Sequence, residues 1–294
     1  MTHEATSSLV AAGAVLEHLY RGAAWTEGPV WLAESHRIRF SDIPNDRILE
    51  FDAASGSTSV FRRAVGYANG RTLDRSGRVV ECSHGRRAVE LADRDGTPRT
   101  IVDRWENRRF NSPNDVVVAS DGAVWFTDPP YGIHSSGREG YPGEPEYEGC
   151  FVFRHDPATG TTRPVVTDMT HPNGLAFSPD ESVLYVADSG RLWIDDGPHH
   201  VRRYRVTGAE VGEGEMFAVV EHGVPDGMRV DEHGRLWVAA ADGVHVLHPD
   251  GTHAGFVPVP EVVGNLCFGG PDGHDLYITA STSLYRIRTT TRSA

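Results

Sequence analysis

Five oxygen-bearing side chains, Glu27, Asn69, Asn114, Asn173 and Asp226, stand at one recurring position in the chain, and a sixth copy of that position holds Gly264. Each opens a short apolar run, usually with glycine next, as in Glu27-Gly28-Pro29-Val30-Trp31, Asn173-Gly174-Leu175-Ala176-Phe177 and Asp226-Gly227-Met228-Arg229-Val230. Two carboxylates and three carboxamides with no cationic residue at the same position form an all-oxygen donor set. Carboxylates forced together raise each other's pKa unless positive charge compensates them. A divalent cation is the simplest compensation, and oxygen donors suit the hard ions Ca²⁺, Mg²⁺ and Mn²⁺ better than thiol-seeking metals. The competing reading is that Asn-Gly and Asp-Gly mark turns at strand entry, since both tolerate positive φ. It accounts for Asn69 and the glycines but not for Glu27, which has no turn preference.

An internal repeat would bring such distant positions together. After each polar opening and its apolar strand comes a turn, such as Ser76-Gly77, Asp121-Gly122, Pro179-Asp180, His233-Gly234 or Asp272-Gly273. A second apolar strand follows, over 37–42, 78–81, 124–128, 183–188, 236–239 and 276–279. No segment sustains a 3.6-residue period over three turns, so the chain reads as all-β. A unit recurring every ~40–60 residues suits a four-stranded propeller blade. Six units predict a six-bladed β-propeller forming a single domain over residues 1–294. The last unit shows only three strands, and the otherwise orphaned segment 15–20 is expected to supply the fourth and close the ring.

In a propeller the innermost strand of each blade lines the central channel, so the six equivalent positions converge on one face. The second strand returns to that face, which places Asp42, Ser83, Asp128, Asp188, Ala240 and Ala280 in an outer ring. Its aspartates could orient ligands or contact substrate hydroxyls, or else cap strand ends. Two long excursions, 129–148 and 189–200, leave from the same face and should roof the pocket. The first carries Tyr131, His134, Arg138, Tyr141 and Tyr147, a mixture suited to gripping a polyol, against the plainer reading of a Gly- and Pro-rich surface loop. His84 follows the second strand of the second unit toward this face. Trp31, Trp125 and Trp237 hold near-equivalent apolar positions and are expected to pack between blades.

Composition narrows the chemistry further. The 294 residues include no lysine, so all 28 basic residues are arginine, and Schiff-base, pyridoxal phosphate and P-loop lysine chemistry are excluded. A formal net charge of -13 would repel a phosphate backbone, so nucleic acid is not expected as a partner. Cys82, Cys150 and Cys267 are odd in number and widely spaced, which suggests buried free thiols in a reducing cytoplasm. The stretch 9–16 lacks a basic flank and no run approaches the ~20 apolar residues of a membrane span, so no membrane association is expected. No G-x-S-x-G elbow, H-E-x-x-H helix or dinucleotide fingerprint is present.

Several motifs in order resemble the gluconolactonase, senescence-marker-protein and luciferin-regenerating-enzyme family. They are Glu27 to Trp31, Asn69-Gly70-Arg71-Thr72-Leu73-Asp74 with Glu81 to Gly85, Ser112-Pro113-Asn114-Asp115-Val116, Trp125-Phe126-Thr127-Asp128-Pro129-Pro130-Tyr131-Gly132, Asn173 to Asp180, and Pro225-Asp226-Gly227-Met228. The resemblance covers nearly the whole chain. It implies a six-bladed propeller holding one divalent cation, with Ca²⁺ expected and Zn²⁺, Mn²⁺, Mg²⁺ or Fe²⁺ as alternatives, and hydrolysis of a sugar lactone. By resemblance Glu27, Asn173 and Asp226 match the metal ligands, Asp226 also matches the catalytic residue, and Asn114 matches a substrate or metal contact. Asn69, Asp128 and Tyr131 join Asn114 as expected substrate-binding residues. The animal members' arginine two positions before Asn114 is replaced by Ser112, so their substrate contacts do not carry over by resemblance. The expectation is a cytoplasmic lactonase, monomeric or weakly dimeric, acting on an aldonolactone such as gluconolactone. A calcium-dependent phosphotriesterase-like hydrolase and a non-catalytic binding propeller are the alternatives.

Overall fold

The computed structural model describes residues 8–92 and 97–294, and these form six four-stranded antiparallel sheets and one two-stranded ribbon. Blade I is built from Thr26–Leu32, Arg37–Asp42, Arg47–Asp52 and Ser57–Arg63, and blade II from Ala68–Leu73, Val79–Ser83, Ala88–Ala92 and Pro98–Val102. Blade III comprises Val116–Val118, Val124–Asp128, Cys150–Asp156 and Thr161–Met169; blade IV comprises Pro172–Phe177, Val183–Asp188, His200–Thr207 and Glu210–Val219. Met228–Val230, Leu236–Ala240, Gly243–Leu247 and His253–Pro258 make blade V. Blade VI takes Val263–Gly269, Asp275–Ala280 and Ser283–Arg288 from the end of the chain and Glu17–Arg21 from its beginning. The six-bladed propeller expected from the repeat is the observed fold. Among the described residues no helix is long and apolar enough to cross a membrane.

Ring closure follows the expected route with a small shift. The N-terminal strand begins at Glu17, two residues later than the apolar pattern suggests, because Val15 is left exposed and pairing starts where Glu17 meets Arg286 at 2.8 Å. The His18 ring stacks on Tyr285 with centroids 4.9 Å apart, and Leu9 is buried in the cluster shared by blades V and VI. This pairing covers the outer edge of the last blade, which would otherwise expose unpaired backbone groups.

Burial follows position in the blade. Second strands such as Val79–Ser83 and Leu236–Ala240 are buried throughout, because neighbouring blades cover both of their faces. The outer strand Ser57–Arg63 is largely open. The three tryptophans pack between blades as expected. Trp125 of blade III meets Phe177 of blade IV at 5.3 Å, Trp237 of blade V meets Phe268 of blade VI at 5.4 Å, and Trp31 of blade I stacks on Tyr277 of blade VI at 5.7 Å. Each such ring removes roughly 150–250 Å² from water, the main adhesive between blades. All three cysteines are free thiols.

Crowding at the axis explains the glycines. A side chain on Gly70 would collide with Asn114 and Asp115, one on Gly174 with the Asp226 carbonyl, one on Gly227 with Asn265, and one on Gly264 with the Glu27 carboxylate. Inner strands of adjacent blades also hydrogen-bond here: Gly70 N–H donates to the Asn114 carbonyl at 2.9 Å, and Gly227 N–H to the Gly264 carbonyl at 2.8 Å. The Asn-Gly and Asp-Gly pairs are therefore places of close approach between strands rather than turns.

Candidate metal and substrate site

The inner-strand register gathers the predicted residues at one end of the channel. Glu27, Asn69, Asn114 and Asn173 are buried, while Asp226 is half-buried. Glu27 accepts a hydrogen bond from Gly28 N–H at 3.0 Å, and its long side chain reaches over the bare Cα of Gly264, which is why the sixth position carries no side chain. Burial pushes both carboxyls well above the usual carboxylate range. The charges of Glu27, Glu139 and Asp115 raise Asp226 further, while the Asn173 amide favours its charged form. Asn173 Nδ2 donates to Ser189 Oγ at 3.2 Å, and Ser189 in turn donates to the Pro225 carbonyl at 2.5 Å, which fixes the Asn173 amide relative to Asp226.

Arginine could in principle neutralise this acidic ring, and the ion pairs show that it serves other partners. Arg229 lies 3.7 Å from Asp115, and Arg71 lies 3.5 Å from Glu81 and donates to the Gly28 carbonyl at 2.9 Å. Among the described residues no ion pair reaches Glu27 or Asp226. Nor do three His, Cys, Asp or Glu side chains gather anywhere among the described residues in a metal-holding cluster. A cation here would therefore take carboxamide oxygen beside two carboxylates. That donor set fits a hard divalent ion, and the two uncompensated carboxyls favour one.

The outer ring plays a different part from the one expected of Asp128. Asp128 has no exposed surface, and its carboxylate accepts hydrogen bonds from Asn111 N–H at 2.7 Å, Ser112 N–H at 2.8 Å and the Tyr147 hydroxyl. It is a clamp on the chain entering the inner strand and does not offer an oxygen to substrate. Asp42 clamps Ala24 and Trp25 N–H in the same way, and Asp188 clamps Thr170 and His171 N–H. In each case the clamped amides lie three and two residues before a ring residue, Glu27, Asn114 or Asn173. Capping, and through it the positioning of the ring, is the physical role of these aspartates.

The first excursion starts from a rigid base. Ser112 Oγ donates to the Pro129 carbonyl at 2.6 Å and accepts from Gly132 N–H at 2.9 Å, which holds Tyr131 between them. Tyr131 is buried, its ring lies edge-on to Trp193 at 5.1 Å and His171 at 5.7 Å, and its hydroxyl lies beside the Ser189 side chain. Burial and the charges of Asp226 and Asp188 push that hydroxyl well above the usual phenol range, which places it on the acidic side of the pocket. Trp193 also contacts His134 at 4.5 Å, so the two excursions meet over this end of the channel. Tyr147 is not part of the pocket, since its ring joins Trp105 and Phe151 in the packing of blade III. Tyr141 is exposed, edge-on to Tyr67.

Four further groups at the site lie outside the sequence register. Asn265 favours the charged forms of both Glu27 and Asp115, and Glu139 reaches Glu27 and Asp226 from the first excursion. Asp115 and Ser189 complete the set. Asn265 carried a signal, being the polar residue immediately after Gly264, whereas Glu139 sits in an irregular stretch where no period applies.

The family described as SMP-30/Gluconolactonase/LRE-like region matches residues 25–282. The chain belongs to this family. Among the relatives of this SMP-30/gluconolactonase/LRE-like protein is the gluconolactonase of Zymomonas mobilis, 33% identical over 91% of this chain and 79% of that protein. The pentonolactonase of Haloferax volcanii is 30% identical, covering 87% of this chain and 81% of its own. A solved gluconolactonase from Xanthomonas campestris superposes with a TM-score of 0.90 at 35% identity, over 98% of this chain and 93% of that one.

Proposed function

We propose that this chain is a metal-dependent lactonase that opens a sugar lactone, an aldonolactone such as gluconolactone, to its aldonic acid. The observation that carries the reading is the pair of uncompensated carboxyls, Glu27 and Asp226, set among carboxamides at the channel end of a protein whose family relatives include gluconolactonase and pentonolactonase. A carboxylic-ester hydrolase follows from that kinship.

Glu27, Asn173 and Asp226 would hold the ion, for which Ca²⁺ is the expected choice on donor chemistry. Bound there, a divalent cation supplies Lewis-acid polarisation of the lactone carbonyl and charge stabilisation of the oxyanion. Asp226 orients the attacking water and takes its proton. Asn114 and Asn69 face the substrate's polar groups. The Tyr131 hydroxyl, buried beside Ser189 on the acidic side of the pocket, can donate to a substrate oxygen. The roof formed by the two excursions limits competing water. A neutral lactone enters this acidic protein without electrostatic penalty, and its carboxylate product is repelled.

A substrate panel tests the reading. The protein loaded with Ca²⁺ should turn over gluconolactone, xylonolactone or galactonolactone in preference to paraoxon, and Asp226→Asn should lower turnover by at least ~10²-fold while keeping the fold. Faster hydrolysis of paraoxon than of any lactone would refute it.

A further inference from the structure

His84 has no exposed surface and joins the floor of the channel to its roof. Its Nδ1 lies 3.0 Å from the backbone carbonyl oxygen of Glu139, in the first excursion. Its Nε2 lies 3.0 Å from Nδ2 of Asn69 and 3.5 Å from Nδ2 of Asn114. A carbonyl only accepts, so Nδ1 carries a proton; in a neutral imidazole Nε2 then has a lone pair and accepts from the amides. Burial holds the ring neutral, with its pKa lowered to about 4. In a planar carboxamide the oxygen occupies the branch opposite the nitrogen. An acceptor at His84 therefore selects one of the two amide orientations, the one with Oδ1 turned away from the imidazole.

We infer that His84 is a positioning residue for lactone hydrolysis, turning the amide oxygens of Asn69 and, at longer range, Asn114 into acceptors for substrate hydroxyls. This rests on the lactonase reading and sharpens it. Acceptors need donors, so the contacts favour a lactone bearing free ring or chain hydroxyls over an unsubstituted one. The bond to Glu139 ties the orientation to the seating of the roof, because the same imidazole proton that fixes the tautomer is held by the excursion. Local packing keeps this arrangement rigid: a Cβ on Gly132 would press on His84, and one on Gly140 would collide with the Gly132 backbone.

The decisive quantity is the ratio of kcat/KM for gluconolactone to that for δ-valerolactone, which lacks the hydroxyls. His84→Leu should reduce this ratio by ~10–100-fold, the usual effect of losing a hydrogen-bonded support of a site residue, chiefly through KM for gluconolactone. His84→Gln, whose Oε1 can accept near the same point, should recover most of it. An unchanged ratio in His84→Leu, or equal loss in both variants, would overturn the inference. A second measurement needs no variant: the imidazole ¹⁵N resonances of His84 in the wild-type protein should show the neutral Nδ1–H tautomer, and an Nε2–H tautomer would overturn the inference by itself. If the wild type opened neither lactone, the lactonase reading would fall, and the tautomer would still report on the amide orientation.

Discussion

A neutral imidazole packed beneath the roof links the acid stability of this chain to one side chain. His84 titrates near its ordinary value of about 6.5 when unfolded and at about 4 when folded. The unfolded chain therefore binds the extra proton first as pH falls. Stability from this group is complete above the unfolded value and is lost progressively down to the folded one, by about 3 kcal/mol in total. Denaturant unfolding from neutral pH down to pH 4 should show a loss larger by about that amount in the wild type than in His84→Leu; parallel curves would contradict the assignment. At this scale the sequence was most readable where the repeat supplied a register. Glu27, Asn69, Asn114, Asn173 and Asp226 were legible because six units had to place equivalent residues around one axis. Asn265 was not, being one step out of register, and Glu139 lies in an excursion whose path no period dictates. The role of Asp128 differs from the expected substrate contact for a related reason. Position placed it on the correct face, but only the course of the preceding loop decides whether its oxygens meet substrate or backbone.

The aspartate clamps are a property of the blade element. In blades I, III and IV the last residue of the second strand, Asp42, Asp128 or Asp188, accepts from two consecutive amides just ahead of the inner strand. Blade II uses Ser83, whose hydroxyl donates to the Gly66 carbonyl at 2.7 Å, and in blades V and VI the position is alanine, Ala240 or Ala280. A buried amide deprived of its acceptor costs ~1–3 kcal/mol. Asp188→Ala leaves the amides of Thr170 and His171 without theirs, so it should destabilise the protein by at least about 2 kcal/mol in denaturant unfolding. Because those residues lead directly into Asn173, lactone turnover by the folded variant should fall as well. Wild-type stability and turnover would show that the clamp does not position the ring. The strands themselves were predictable from alternation and turn dipeptides. The glycines were also found, but for a reason the sequence does not display, since close approach between blades exists only once the ring has closed.

The whole molecule makes the site by convergence. Each ring residue comes from a different blade, and the N-terminal strand Glu17–Arg21, paired with Ser283–Arg288, completes the circle that holds the six inner strands together. Closure was readable because the last unit lacked a strand and the first segment lacked a partner. The same circle explains why the acidic ring stays uncompensated. The arginines of the inner strands pair with other carboxylates, Arg71 with Glu81 and Arg229 with Asp115, and a chain without lysine has no ammonium group to place there. The most direct test is metal content joined to activity. Gently purified protein should carry one divalent ion per chain, exhaustive chelation should abolish gluconolactone turnover, restoring Ca²⁺ or another divalent ion should return it, and Glu27→Gln with Asp226→Asn should lose the ion while remaining folded. Full lactone turnover by protein shown to be free of metal would contradict the account.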